Sequence, residues 1–519
     1  MKWRSLGWRG LLCFALLAIY AWPSLYNRQP FFFADTTAYI RGADAGFSRL
    51  THRTTVWSDE TNPPAITQIS KEGKRPHNRK SLSSIQDRAV LAGRSIYYGG
   101  LLYLSHITGW LWPAVLVQAS AVLLAISLTL RTFGLFTWLR LTVVSLVLAT
   151  LTPMSFFVSF LTPDIFAGIT ILAISNLLVQ GSLMPRWMRS TWIALLSAAL
   201  LFHPSHSLIT VAMLVVGVSY ALLARVSMPW RGIVSIVVAL TVAFVGEEVF
   251  SFGVTKLVGA APIRPPFLMA RMIADGPGYA YLAASCPASQ LAVCRFVHRL
   301  PVNDQWFLWS TDPAIGVFAL ADPGTRRRLG DEQYRFAWAT LAFDPLGVLA
   351  ASLRNTANQI RLIGLADFNY DNGEKKFLTA HVPEPYLERL ITTRAWKETM
   401  PTNIMSVTVA VTTMLSVLYL TGLALIRRRP FVHEKRLLAF MKFTVVGTII
   451  NAAVCGTLST PTDRFQARII WLLPLVAILC ELKSQRNPWD VDWSNYLFYK
   501  FAFRSSSNRI EIPRPRRRK

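Results

Sequence analysis

The residues of this chain best suited to chemistry gather at one end of its hydrophobic runs. Asp35, Thr162-Pro163-Asp164, His203-Pro204-Ser205-His206, Glu247-Glu248 and Asp463-Arg464-Phe465-Gln466-Ala467-Arg468 all fall at the ends opposite those where Lys and Arg cluster. Asp35 follows the first apolar run, in the aromatic setting Phe31-Phe32-Phe33-Ala34-Asp35-Thr36-Thr37-Ala38-Tyr39. A carboxylate placed there can take the proton of an attacking hydroxyl. The same residue also suits the N-cap of a helix beginning at Thr36. Asp44 is a weaker candidate acid. Asp164 stands where capping would be a sufficient explanation, and as a second acid it can bind a divalent metal or an acceptor hydroxyl, although one Asp is a poor metal signature.

His203 and His206 flank Pro204 with no third ligand nearby, which favours hydrogen bonding to a substrate or between helices over a zinc site. Glu247 and Glu248 read first as solvated acids at a membrane interface. Arg94, just before Tyr97-Tyr98, and Arg264, Arg271, Arg464 and Arg468 are cations on the end where charge sidedness would not place them. Guanidinium groups suit bidentate phosphate contacts, so these residues, with Tyr97, Asp463, His203 and His206, are candidate substrate-binding groups. Pairing with Asp275, Asp463 or lipid headgroups is the alternative for the arginines.

The elements that must position these groups are membrane spans. The chain has 519 residues, 52% of them hydrophobic, and a mean hydropathy of +0.36, which fits a polytopic membrane protein. A net charge of +26 raises nucleic acid as a partner, but the cations recur at the ends of apolar runs and in the tail rather than as one aromatic-interleaved stripe. No nucleic-acid partner is expected.

About 20 apolar residues cross a hydrocarbon layer of roughly 30 Å. Some ten candidate spans lie near 8–25, 110–130, 136–155, 163–180, 189–203, 205–224, 232–250, 403–425, 437–456 and 466–482. The continuous run 191–224 would be about 51 Å long as one helix, too long for a single crossing. Pro204 is its natural break, and two short spans are expected there. Lys2, Arg4 and Arg9 place the N-terminus in the cytoplasm, and ten crossings return the C-terminus to that side. Arg131, Arg140, Arg186, Arg189, Arg225, Arg231 and the cluster from Arg427 to Arg436 then share the inner face. The first run reads as a retained anchor rather than a cleaved signal, because no small-x-small site precedes Trp22-Pro23.

The expected fold is an all-α polytopic membrane protein with a small, mainly helical external lid. Its parts are an N-terminal module over 1–250 of about seven spans, with a long first external loop at 26–109; an external, periplasmic domain over 251–402; a three-span module over 403–482; and a basic cytoplasmic tail over 483–519. The apolar ends of the first loop suit interfacial helices, and its polar stretch around 58–88 suits a mobile loop. The tail suits anionic cytoplasmic lipid. Cys13, Cys455 and Cys480 fall in spans, where Cys acts as a small apolar residue, whereas Cys286 and Cys294 share an external loop and form a plausible disulfide. There is no Walker loop, Gly-rich dinucleotide fingerprint, Gly-x-Ser-x-Gly elbow or His-Glu-x-x-His. An activated substrate would therefore arrive on a lipid.

In the acid of Phe33-Ala34-Asp35-Thr36-Thr37-Ala38-Tyr39, the long first external loop, the second large external segment after about seven spans and the external cations, the chain resembles the GT-C superfamily of polyprenyl-phosphate-dependent membrane glycosyltransferases. The resemblance covers most of the chain as architecture, with little motif content. It implies transfer of a sugar from a polyprenyl phosphate or pyrophosphate to an envelope glycan, lipid or protein, with Asp35 as general base of an inverting displacement and Asp164 as the second acid that some members use for metal or acceptor contacts. The chain departs from the pattern in having Asp35-Thr36 in place of a paired Asp-Glu, and it lacks a Trp-Trp-Asp-type acceptor motif. No cofactor follows beyond a possible divalent metal ion. The rival readings are a transporter or flippase of lipid-linked glycans, a non-catalytic membrane scaffold, and another lipid-dependent transferase such as a polymer ligase. A transporter would place charges at mid-depth in several spans and carry an internal repeat.

Overall fold

A computed structural model describes residues 2–58, 88–425 and 435–484. The polar stretch of the first loop, the Arg427-Arg428-Arg429 run and nearly all of the basic tail lie outside them. The described helices, in chain order, are α1 (Lys2–Tyr20), α2 (Trp22–Asn27), α3 (Ala34–Thr51), α4 (Ile96–Gly109), α5 (Trp112–Thr132), α6 (Trp138–Leu151), α7 (Met154–Val158), α8 (Ile165–Gln180), α9 (Arg186–Phe202), α10 (Pro204–Leu223) and α11 (Trp230–Val258). They continue with α12 (Phe267–Ala274), α13 (Pro277–Ser285), α14 (Asp304–Trp309), α15 (Pro323–Phe343), α16 (Pro345–Arg361), α17 (Asn372–His381), α18 (Glu384–Leu390), α19 (Thr402–Leu425), α20 (Lys435–Leu458), α21 (Asp463–Ile470) and α22 (Leu472–Ser484). Among the described residues there is no strand, only two isolated parallel bridges, Phe31 with Phe160 and Leu91 with Ile263.

The protein is thus all-α and built for a membrane. Among the described residues, six helical segments are long and apolar enough to cross one: α5, α10, α11, α19, α20 and the run Asp463–Ser484 formed by α21 and α22; the bent pair α15–α16 would make a seventh if taken as one span. The other four expected spans correspond to α1, α6, α8 and α9, which do not meet that length and composition on their own, so the count of about ten crossings is not confirmed. The long run 191–224 breaks where Pro204 lacks an amide proton: α9 stops at Phe202, His203 is extended (φ −154°, ψ 128°), and α10 restarts at Pro204.

Every described residue of α8 except Val179 is buried, and α5, α9, α10, α11 and α20 surround it. Close approach to this central helix requires glycines. A Cβ on Gly168 would lie 2.6 Å from the Trp471 indole nitrogen, and one on Gly232 would lie 2.1 Å from the Leu177 carbonyl oxygen. α8 is about 24 Å long at 1.5 Å per residue. Asp164 stands at its start, and beyond its other end Arg436 reaches Gln180 and Arg231 reaches the Ser182 carbonyl. The acid at one end and the basic loops at the other reproduce in three dimensions the sidedness of the sequence.

The long first loop begins and ends as a helix pair. α3 and α4 pack closely enough that a Cβ on Gly99 would lie 2.4 Å from the Tyr39 carbonyl oxygen, and the Phe47 and Tyr103 rings stack at 4.6 Å. The segment 251–402 divides between two cores. Residues 263–336, with Ala89, form a small core of their own, cross-linked by the Cys286–Cys294 disulfide, whereas Leu365, Phe368, Tyr370, Leu378, Tyr386 and Leu390 join the core of the membrane bundle. The reason is visible in residue type: Phe368 docks onto Phe31, Phe156 and Phe160 of the bundle, and Tyr386 meets Phe32.

Candidate functional site

Two backbone pairings bring the distant acids and cations together. The Phe31 amide donates to the Ser159 carbonyl and the Leu161 amide to the Phe31 carbonyl, so the segment before α3 lies beside the segment before α8. Thr36 Oγ1 adds a bond to the Leu161 carbonyl at 2.9 Å. On the other side, Ile263 is held between Val90 and Ala92, which orders the approach to Arg94. Asp35 and Asp164, far apart in sequence, become neighbours at the mouth of the bundle.

Asp35 lies in the first turn of α3, whose N-cap is Phe33, so it is not the cap residue. Its Oδ1 accepts from Arg94 Nη2 at 2.5 Å and its Oδ2 lies 3.6 Å from Arg464 Nη2. Asp164 makes no side-chain cap bond, so capping does not account for it. Its Oδ1 accepts from Arg468 Nη1 at 2.8 Å, and its Oδ2 accepts from Thr162 Oγ1 at 2.6 Å and lies 3.5 Å from Arg464 Nε. Arg464 therefore bridges the two acids. It sits one helical turn before Arg468, and the i, i+4 spacing puts both guanidiniums on one face of α21.

The cluster runs from a half-buried rim, Asp35, Arg94 and Arg464, to a buried base, Asp164 and Arg468, and holds three cations against two carboxylates. Arg468 is 1% exposed and spends its second nitrogen on Asn451 Oδ1 and Cys455 Sγ, both at 3.2 Å. Arg464 Nη1, Arg94 Nε and Arg468 Nε are buried without a hydrogen-bond partner. The Arg464 guanidinium also lies over the Phe33 ring, 4.3 Å from its centroid, where the ring quadrupole favours a cation. Burial works against the charge of Arg94, but the Asp35 carboxylate outweighs it and Arg94 titrates above its ordinary range. The Tyr39 phenol is pushed up, chiefly by burial. The arrangement is an ion-pair network with guanidinium N–H groups left over, a chemistry that suits an anion.

The remaining candidates divide. His203 and His206 lie within electrostatic reach of Arg468 and Asp164; His203 Nδ1 caps α10 through the Ser205 amide, and His206 Nε2 is buried without a partner. Asp463 accepts from the Gly364 amide at 2.9 Å and so holds α21 to the segment that follows α16. Tyr97 donates to the Gly246 carbonyl and braces α4 on α11. Arg264 pairs with Glu247 at an exposed site, and Arg271 pairs with Asp275 at 2.6 Å and Asp304 at 3.6 Å. Asp44 accepts from Thr55 and Ser58 and shapes the end of the α3 loop. None of these last four is joined to the Asp35 cluster by a direct contact.

Sequence reasoning missed Asn451 and Cys455, which lie on α20 at the i, i+4 spacing facing Arg468, and Thr162 as a bonding partner. A polar Asn inside an apolar run was the available signal. It also missed Asp367 and Glu374, whose carboxyls are raised mainly by burial, that of Glu374 from 4.5 to about 7 with the help of the Asp367 and Asp371 charges. A divalent metal fits this donor set poorly, because each central carboxylate already faces a guanidinium and no group of three His, Cys, Asp or Glu suited to a metal occurs among the described residues.

Apolar space lies at the same end of the bundle. A hollow of about 460 Å³ is lined by Ile19, Trp22, Leu146, Thr150 and Met405. From Trp22 a chain of ring contacts runs through Phe156 (5.4 Å), Phe368 (5.0 Å), Phe160 (5.0 Å) and Phe33 (5.7 Å) to Arg464. Comparison with protein-family models, curated proteins and solved structures finds no match for this chain.

Removal of one member of the buried pair strands the other, at a cost of about 3–5 kcal/mol. Arg468→Ala is therefore expected to lower thermal stability strongly in detergent, and Arg468→Lys, which keeps a cation against Asp164, should lose less. The raised carboxyl of Glu374 predicts a second effect. Protonated Glu374 suits its buried site, so its contribution is full below about 4.5 and fades as pH rises through about 7. Protection of the amides of residues 372–381, taken relative to their intrinsic exchange rate at each pH, should fall across that interval in the wild type, and Glu374→Gln should flatten the change.

Proposed function

We propose that this protein is a membrane glycosyltransferase that moves a sugar from a polyprenyl-phosphate-linked donor to an envelope glycan, lipid or protein. The observation that carries the reading is the cation excess around half-buried Asp35 and buried Asp164, with the buried Arg464 Nη1 unpartnered between them. An anion held there would gain charge-assisted hydrogen bonds that water does not supply inside the bundle. The apolar hollow at Trp22 offers room for an isoprenoid chain at the same end.

In the proposed step an acceptor hydroxyl attacks the anomeric carbon of the donor sugar, and its proton passes to the Asp35 carboxylate. The bond between the anomeric carbon and the phosphate oxygen breaks, and the lipid phosphate leaves with the electron pair. Arg94 and Arg464 neutralise the charge that develops on that oxygen, a stabilisation stronger in the transition state than in the bound donor. Their contacts with Asp35 have a second consequence. The bound phosphate and the Asp35 carboxylate share the same guanidiniums. Asp164 holds Arg464 and Arg468 in place from beneath.

The proposal includes membership of the GT-C superfamily and a bacterial inner membrane, with all ten apolar segments crossing, both termini cytoplasmic and the site facing the periplasm. The basic residues at the far end of α8 support that orientation. A flippase would set charges at mid-depth along several spans, whereas the acids and arginines here gather at helix ends.

The test is mass spectrometry of envelope glycolipids from a deletion strain complemented with variants at equal protein level. Wild type and Arg264→Gln, which alters only an exposed pair, should restore the lost product. Asp35→Asn should lower its rate of formation by about 10²–10⁴-fold as a lost base, and Arg464→Gln by about 10²–10³-fold as a lost charge donor. Full restoration by Asp35→Asn would favour a scaffold or transporter.

A further inference from the structure

α15 and α16 meet at a bend of 108° around Asp344, and the elbow they form exposes Trp338 (72%), Leu346 (77%), Leu349 (54%) and Leu353 (62%). Between Phe336 and Leu353 the one charged side chain is Asp344, and it is spent on capping α16 through the Gly347 amide at 2.8 Å. Exposed Arg335 and Arg354 flank this uncharged stretch. An apolar surface of this kind is foreign to water and needs a cover.

The packing of α16 says what covers it. Ala351, Asn355 and Gln359, four apart, are its buried face, and that face lies on α20, a candidate membrane span. Asn355 approaches Gly456 so closely that a Cβ there would lie 2.9 Å from the Asn355 carbonyl oxygen, and Gln359 both donates to and accepts from the Thr462 backbone. The two contacts advance together along both chains, so α16 runs back along α20 towards its middle as it is followed from Asn355 to its start. Leu346 therefore lies about 13 Å further down the span than Asn355 at 1.5 Å per residue. Gly447, on the same span, is packed against Ile171 and Met213 of α8 and α10, well inside the bundle.

We propose that the α15–α16 elbow is a re-entrant wedge that inserts into the leaflet at the Asp35 end of the bundle, with its exposed side chains among lipid acyl chains and Arg335 and Arg354 at the level of the lipid phosphates. The occupant of this surface is the bilayer. Because Gln359 grips Thr462, the residue that opens α21, the wedge also ties the depth of Arg464 and Arg468 to the membrane surface. The inference rests on the apolar spans and not on the proposed activity.

The test uses the full chain in lipid nanodiscs. Single cysteines at Leu346, Leu349, Val238 and Lys397 carry a fluorophore, with the wild-type signal subtracted. Val238 faces outward from the first half of α11, within its apolar stretch, and Lys397 is exposed outside the candidate spans. Phosphatidylcholine spin-labelled on the acyl chain should quench positions 346 and 349 as much as 238, and several-fold more than 397. Quenching at 346 and 349 no greater than at 397 would overturn the proposal, whether water or a second copy of the chain covers the elbow. The substitutions replace exposed side chains, and monodisperse chromatography of each labelled protein confirms folding.

Discussion

A charge inside a membrane-embedded bundle must be answered by another charge, and here the carboxylate of Asp164 answers two guanidiniums. Arg468, 1% exposed, would be intolerable on α21 without it, and Arg464 would have no anchor from which to reach Asp35. This requirement sets the geometry around it. α8 must bring its first turn beside that of α21, which places Gly168 against Trp471, and the segment before α3 must pair with the segment before α8, which the Phe31 and Phe160 bridge achieves. The network fixes the mouth of the bundle, and the functional reading depends on that fixed mouth.

Isolated buried ion pairs seldom repay their desolvation, so a bundle that needed only stability would fill this space with apolar side chains. The cost is better explained by use. Arg464 offers one nitrogen to each acid and keeps Nη1 free, while Phe33 supports its flat face. On the proposed reading, a lipid phosphate completes the network at that nitrogen and loosens the hold of the arginines on Asp35. The external segment contributes too, since Asp463 grips Gly364 and Gln359 grips Thr462, both at the first turn that carries Arg464.

The sequence made the class of fold legible because membrane helices are long, uninterrupted apolar runs, and it made the break at Pro204 legible because proline has no amide proton to give. It also singled out Asp35, Asp164, Arg464 and Arg468, since charges at the ends of apolar runs are unusual. It could not show that Asp164 binds arginines instead of capping α8, because both roles ask for the same residue in the same place. Arg264 and Arg271 looked equivalent to Arg464 by sidedness alone. Only the packing of 263–336 as a separate core, with Glu247, Asp275 and Asp304 within reach, turned them away from the cluster. Helix length was the other limit: α1 ends at Tyr20 and α6 at Leu151, sooner than their apolar runs suggested, because the chain turns before Trp22-Pro23 and at Pro153.

The central claim is that the Asp35 cluster holds a lipid phosphate, and its most direct measurement is native mass spectrometry of the purified protein titrated with a polyprenyl phosphate and with the matching polyprenol. The account predicts strong preference for the phosphate in the wild type and in Arg264→Gln, and loss of that preference in Arg464→Gln with the polyprenol adduct unchanged. Equal binding of phosphate and alcohol by the wild type, or full retention of the preference in Arg464→Gln, would contradict it.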